Sequence, residues 1–226
     1  FGVNGRLFTK IGIGDTDSEA RSIALQADGK IVVAGRLFDA NNASQSMYYF
    51  AVVRYLPNGS LDTTFDGDGI KVITAPNEDN QAYAVAIQTD GKILLAGRND
   101  TLAGLQASYD VAVVRLNVDG SNDTSFDSDG TVTTDLGGSG DVAYALKLQP
   151  DGKIFVGGTG TAANFSQNFA LVRYNSDGSL DPSFGTGGVV LTPTTNGLAE
   201  FLALLLQPDA KIVGAGFARV GTQNDF

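Results

Sequence analysis

Six aspartates stand in two short glycine-containing runs: Asp62, Asp66 and Asp68 before Gly69, and Asp123, Asp127 and Asp129 before Gly130. Hard carboxylate oxygens at that density are what a calcium ion takes, and calcium is the one cofactor the chain suggests. The spacing is not that of an EF-hand loop, and no terminal bidentate Glu follows. In the corresponding third run only Asp181 is left, with Gly185, Thr186 and Gly187 where the other carboxylates would stand. The competing use of the same residues is structural, because Asp and Gly build turns and the first Asp of each run can accept backbone N–H groups. Arg54, Arg115 and Arg173 recur ahead of the three runs and are expected to pair with Asp62, Asp123 and Asp181. Their repetition argues for architecture, since the guanidinium fork holds a carboxylate in one geometry.

Other chemistry is limited by what the chain lacks. It has no histidine and no cysteine, which removes the Ser-His-Asp triad, histidine general bases, thiolate nucleophiles, disulfides and His- or Cys-ligated metals. Twenty-five acidic against fifteen basic residues give a net charge of −10, which repels a phosphate backbone and argues against nucleic-acid partners. The longest apolar stretch, Phe201 to Leu206, is strand-sized, so no membrane insertion is expected. The chain starts within a repeat at Phe1, without the basic and apolar regions of a signal peptide.

The elements that must position these residues come from a repeat. Asp-Gly-Lys-Ile stands at Asp28–Ile31, Asp90–Ile93 and Asp151–Ile154, with the variant Asp209-Ala210-Lys211-Ile212, at spacings of 62, 61 and 58 residues. Phe1, Phe65, Phe126 and Phe184 share one phase and divide residues 1–226 into units 1–64, 65–125, 126–183 and an incomplete 184–226. In the second unit four strands are expected, over 69–74, 82–88, 92–97 and 111–116, with a two-residue Asp90-Gly91 turn of type I′ between the second and third. Ala210 replaces the turn glycine in the last unit and should strain it. Glycines at 35, 97, 157 and 216 mark close backbone approach at the end of the third strand. Both faces of the central strands are apolar and no helical periodicity is available to cover them, so each sheet must pack between further sheets. The fold class is all-β, a β-propeller of four-stranded antiparallel blades of about 60 residues. A β-solenoid-like array is the alternative.

The run Asp-Gly-Ser-Leu-Asp-x-Ser-Phe-Gly-x-Gly-Gly at Asp177–Gly188, together with Leu-Gln-Pro-Asp-Gly-Lys-Ile at Leu148–Ile154, resembles the bacterial delta-60 repeat, and the resemblance covers essentially the whole chain. It implies a propeller-like fold in bacterial proteins that are often large and exported or surface-associated. It implies no catalytic residue.

In such a blade one end carries the tight turn and the Asp-rich loop, nearly the same in every unit, while the other end carries first and third loops that differ. The varied end is the candidate binding face, marked by Tyr48, Tyr49, Glu78, Asp79, Asn99, Asp100, Tyr109, Asp141 and Phe165. The expected function is a non-catalytic extracellular or cell-surface scaffold or adhesion module that binds glycan or protein there. The alternatives are a carboxylate-based glycan-active enzyme, which needs two carboxylates across a cleft, and a structural spacer in a larger surface protein. Unpaired strand edges would lead to self-association or continuation into further blades.

Overall fold

The computed structural model describes residues 1–2, 4–12, 17–39, 47–74, 78–101, 108–162, 166–194, 197–220 and 223–225. The first sheet is β1 (Ser18–Leu25), β2 (Ile31–Asp39), β3 (Met47–Tyr55) and β4 (Ile70–Ile73). The second is β5 (Glu78–Ile87), β6 (Ile93–Thr101), β7 (Ser108–Leu116) and β8 (Thr131–Thr134). The third is β9 (Val142–Leu148), β10 (Ile154–Thr161), β11 (Gln167–Tyr174) and β12 (Val189–Thr192), and the fourth is β13 (Ala199–Leu206), β14 (Ile212–Val220) and β15 (Gln223–Asp225). Each sheet is an antiparallel meander in chain order.

The sheets are out of phase with the repeat units by one strand. Ile70–Ile73 does not open the second sheet; it pairs with β3, Phe50 opposite Ile73 and Val53 opposite Ile70, and closes the first. The Asp-rich loop causes this. Arg54 N–H donates to Gly69 O, Asp62 N–H to Arg54 O and Gly69 N–H to Phe65 O, so the chain is turned back directly onto the strand it has just left. The units 65–125 and 126–183 therefore straddle two sheets, and the Asp-rich loops lie within sheets. The links between sheets are the former first loops.

The Asp-Gly turn also differs from type I′. Gly29 has φ 84° while Asp28 is not in the left-handed region, and Gln26 N–H bonds Lys30 O while Gly29 N–H bonds Gln26 O. This is a three-residue loop, a turn followed by a glycine bulge. The fourth copy keeps the same hydrogen bonds, from Gln207 N–H to Lys211 O and from Ala210 N–H to Gln207 O, and so holds Ala210 at φ 65°, a conformation that costs a residue with a Cβ about 1–2 kcal/mol.

The core lies between sheets. Val32, Ala34, Phe50 and Val52 pack against Ile93, Leu95, Ala112 and Val114, and Leu94, Ala96, Val111 and Val113 pack against Ile154, Val156, Ala170 and Val172. Within each sheet the first two strands are drawn together at a β-bulge, and a glycine of the second strand faces it. A Cβ on Gly35, Gly97, Gly158 or Gly216 would collide with the carbonyl oxygen of Glu19, Gln81, Val142 or Glu200. The third of these is Gly158, one residue beyond the glycine expected; Gly157 instead faces Leu204. The outward faces of the first and fourth sheets remain open, with Ile23, Leu25, Leu202, Leu205 and Val213 exposed. Among the described residues no helix is long and apolar enough to cross a membrane.

Candidate functional site

At the repeated end, the first and second junctions are closed by one clasp. Arg54 Nε lies 2.8 Å from Asp62 Oδ2, its Nη2 donates to Thr64 Oγ1 at 3.1 Å, and its Nη1 donates to Val118 O in the second sheet. The guanidinium stands 4.6 Å from the centre of the Phe65 ring, Lys30 Nζ adds a contact to Asp62 at 3.2 Å, and Asp66 N–H donates across the junction to Asp119 O at 2.8 Å. Arg115 repeats the set with Asp123 at 2.6 Å, Ser125, Ser176 O of the third sheet and the Phe126 ring. Arg173 lies 2.7 Å from Asp181 and over Phe184. Burial alone would raise the Asp62 carboxyl, but hydrogen bonds from Thr64 and Lys30 and the charge of Arg54 outweigh it and hold it down at about 2. Asp123 and Asp181 are likewise lowered, the first against burial by Lys92, Ser125 and Arg115, the second chiefly by Lys153 and Ser183.

This clasp accounts for the aspartates proposed as calcium ligands. Asp68 Oδ1 accepts the Ile70 N–H and Asp129 Oδ1 the Thr131 N–H, each at 2.8 Å. Asp66 and Asp127 take positive φ to make the turn, and Asp66 pairs with Lys71 at 3.1 Å. Their carboxylates do not converge. The group of three whose oxygens do lie within 4.8 Å of one another, among the described residues, is Asp110, Asp135 and Asp141 at the other end.

At that varied end the strands run further than their composition indicates. β6 extends to Thr101, β7 starts at Ser108 and β5 starts at Glu78, so residues expected in loops are strand residues. Tyr49, Asn99, Asp100 and Asp141 are buried and offer no free surface. Tyr48, Asp79 and Tyr109 are half-buried. The side chain of Glu78 and the whole of Phe165 lie outside the described residues.

Two equivalent arginines organise this end. In the first sheet Arg36 lies opposite Glu19, contacts its Oε2 at 2.9 Å, donates to Gln81 Oε1 of the second sheet at 3.0 Å and stacks 4.2 Å over Tyr48. In the second sheet Arg98 stacks 3.9 Å over Tyr109 in the same way, but its surroundings differ. It lies opposite Gln81, whose Oε1 is already taken by Arg36 and the Tyr83 hydroxyl. The residue of the third sheet in the place of Gln81 is Val142. Arg98 Nη2 is 3.9 Å from Asp79 Oδ2, beyond hydrogen-bond reach, and its Nε is buried without a hydrogen-bond partner among the described residues. A cleft of about 420 Å³ opens here, lined by Arg98, Tyr109, Tyr144, Thr159, Thr161 and Gln167 among others. Burial, then the charge of Glu200, raises the Tyr144 phenol to about 12, so it stays a neutral O–H. A larger hollow of about 690 Å³ beside Phe1, Ile23, Val33 and Tyr55 is apolar, and it lies on the face that in the second and third sheets packs against the preceding one.

Beside the cleft, Asp141 anchors the link from β8. Its Oδ2 accepts Leu136 N–H and its Oδ1 accepts Thr161 N–H, both at 2.7 Å. Burial raises its pKa to about 6 against those two bonds, with Asp135 and Asp110 adding repulsion. Asp110 is raised by burial and by Asp135, and Asp100 by burial and Asp79. Arg98, Tyr144, Asp110 and Asp135 escaped the sequence reading. The available signal was the equal offset of Arg36 and Arg98 from Asp-Gly-Lys-Ile, beside which the unequal pair Gln81 and Val142 stands out.

Antiparallel four-stranded blades with a repeated clasp define a β-propeller repeat protein. The chain belongs to the family described as Domain of unknown function (DUF5122) beta-propeller, which it matches over residues 26–65, 88–126 and 149–184, just over half its length. No curated protein matches it.

Proposed function

We propose that this is a non-catalytic binding module, of the bacterial delta-60 repeat type, that takes a glycan or protein segment at the varied end of its blades on an extracellular or cell-surface protein. The observation that carries the reading is the cleft between the second and third sheets. It combines two tyrosines with hydroxyl, amide and guanidinium groups, the mixture of apolar face and directed polar atoms that suits a sugar or a polar side chain. Binding rather than turnover is favoured because Asp141, the most buried carboxylate beside the cleft, has both oxygens committed to backbone N–H groups. Neither is placed to carry a proton to a leaving group. The spacer alternative predicts no ligand at all. Binding to a panel of glycans and peptides, with Tyr109→Ala and Tyr144→Ala each weakening the best ligand roughly tenfold, is the expected result. A panel that binds nothing, or binding indifferent to both substitutions, refutes the assignment.

A further inference from the structure

The same cleft also specifies a ligand class. Arg36 is paired with the Glu19 carboxylate and the Gln81 carboxamide. Arg98 has lost both acceptors, since the residue opposite it is neutral and already engaged and its counterpart in the next sheet is Val142. Its side chain is only 19% exposed, so it has shed much of its hydration without gaining hydrogen bonds among the described residues, an arrangement that is costly until an acceptor arrives.

We propose that the cleft binds a carboxylate carried on a hydroxyl-bearing ring, an acidic sugar of the uronate type, with Arg98 as its anchor. This rests on the cleft being the binding site. The planar guanidinium is held against the Tyr109 ring, which fixes the direction of its fork, and a fixed fork is matched by the two oxygens of a carboxylate. Asp79 does not fill that role. At 3.9 Å it makes no hydrogen bond to Arg98, and its Oδ1 accepts the Tyr48 N–H of the first sheet at 3.2 Å. Tyr144 and Gln167 line the remainder of the cleft and offer O–H and amide groups to ring hydroxyls. Asp79, Asp110 and Asp135 keep the neighbourhood negative, which holds affinity modest and favours a single carboxylate at Arg98 over a dense polyanion.

Ligand-observed NMR titration of the chain with D-glucuronate and with D-glucose, which differ at C6 in carboxylate against hydroxymethyl, tests this. Glucuronate is expected to bind about tenfold or more tightly, the return on charge-assisted hydrogen bonds. Arg98→Met should erase the difference at an unchanged melting temperature, and Arg36→Met should leave it intact. Equal binding of the two sugars, or a glucuronate preference that survives Arg98→Met, overturns the carboxylate assignment and leaves the cleft a binding site. No binding of either sugar or of a wider neutral and acidic glycan panel overturns both.

Discussion

The first and second sheet junctions share one clasp and differ at the opposite end. Arg54 and Arg115 bridge their junctions through the same kinds of partner, down to the phenylalanine ring under each guanidinium. At the varied end, Arg36 closes the first junction through Gln81, while Arg98 meets Val142 and a cleft remains. The difference teaches that in this array a cleft is left where the repeat drops an internal acceptor. No new motif is added.

The comparison is broken most severely at the clasp. Phe65 and Phe126 are both fully buried, and each lies against a glycine of the neighbouring sheet, Gly120 and Gly178. Phe65→Ala and Phe126→Ala should each cost about 3–5 kcal/mol, by similar amounts, in urea unfolding; markedly unequal losses would show that the two clasps are not equivalent. Restoring the missing acceptor comes next. Val142→Gln should give Arg98 the partner that Gln81 gives Arg36, fill part of the cleft and weaken ligand binding about tenfold, while the reverse Gln81→Val removes the cross-junction partner of Arg36 and leaves it on Glu19. Calorimetric titration of the two variants would read this, and unchanged binding in Val142→Gln would remove Arg98 from the explanation.

Smaller effects follow from charge. Asp141 titrates at about 6 in the folded chain, above the 3.8 of a free carboxyl, so the folded state binds the proton more tightly than the unfolded one. Its stabilising contribution is present below the unfolded pKa and is lost as pH rises through about 6, so thermal stability should rise on lowering pH from 7 to 5, on the order of 1 kcal/mol after screening. Asp141→Asn should flatten that rise. Asp62, with its pKa lowered to about 2, acts in the opposite sense, and its contribution is lost only as pH falls from about 4 through 2. Smallest of all, Arg36→Met should cost under about 1 kcal/mol because Glu19 is 47% exposed. Arg98→Met should cost less still, and a larger loss at Arg98 than at Arg36 would contradict the weaker hold on Arg98, a 3.9 Å contact to Asp79 in place of close polar partners.

Much of the fold was legible in the residues. Asp-Gly-Lys-Ile at fixed spacing gave the hairpin, apolar residues on both strand faces gave the packing of sheet on sheet, and the Arg54, Arg115 and Arg173 series marked the clasp with its aspartates. The phase of the blades was not legible, because a short β-branched strand such as Ile70–Ile73 pairs equally well on paper with either neighbour, and only the backbone bonds of the intervening loop choose. The candidate face was half legible. Asn99 and Asp100 read as loop by their polarity, yet they extend β6 in register with Asp110 and Tyr109, since pairing with a neighbouring strand overrides local preference.

By itself the sequence determined the repeat, the all-β class and the ion pairs within each unit, because these depend on residue periodicity and on groups close along the chain. Only the tertiary structure decided which acidic residues converge and which arginine is left, among the described residues, without a hydrogen-bond acceptor. Those properties depend on what the next sheet brings across the junction, and Gln81 and Val142 stand 45 residues from Arg36 and 44 from Arg98, where chain distance carries no information about contact.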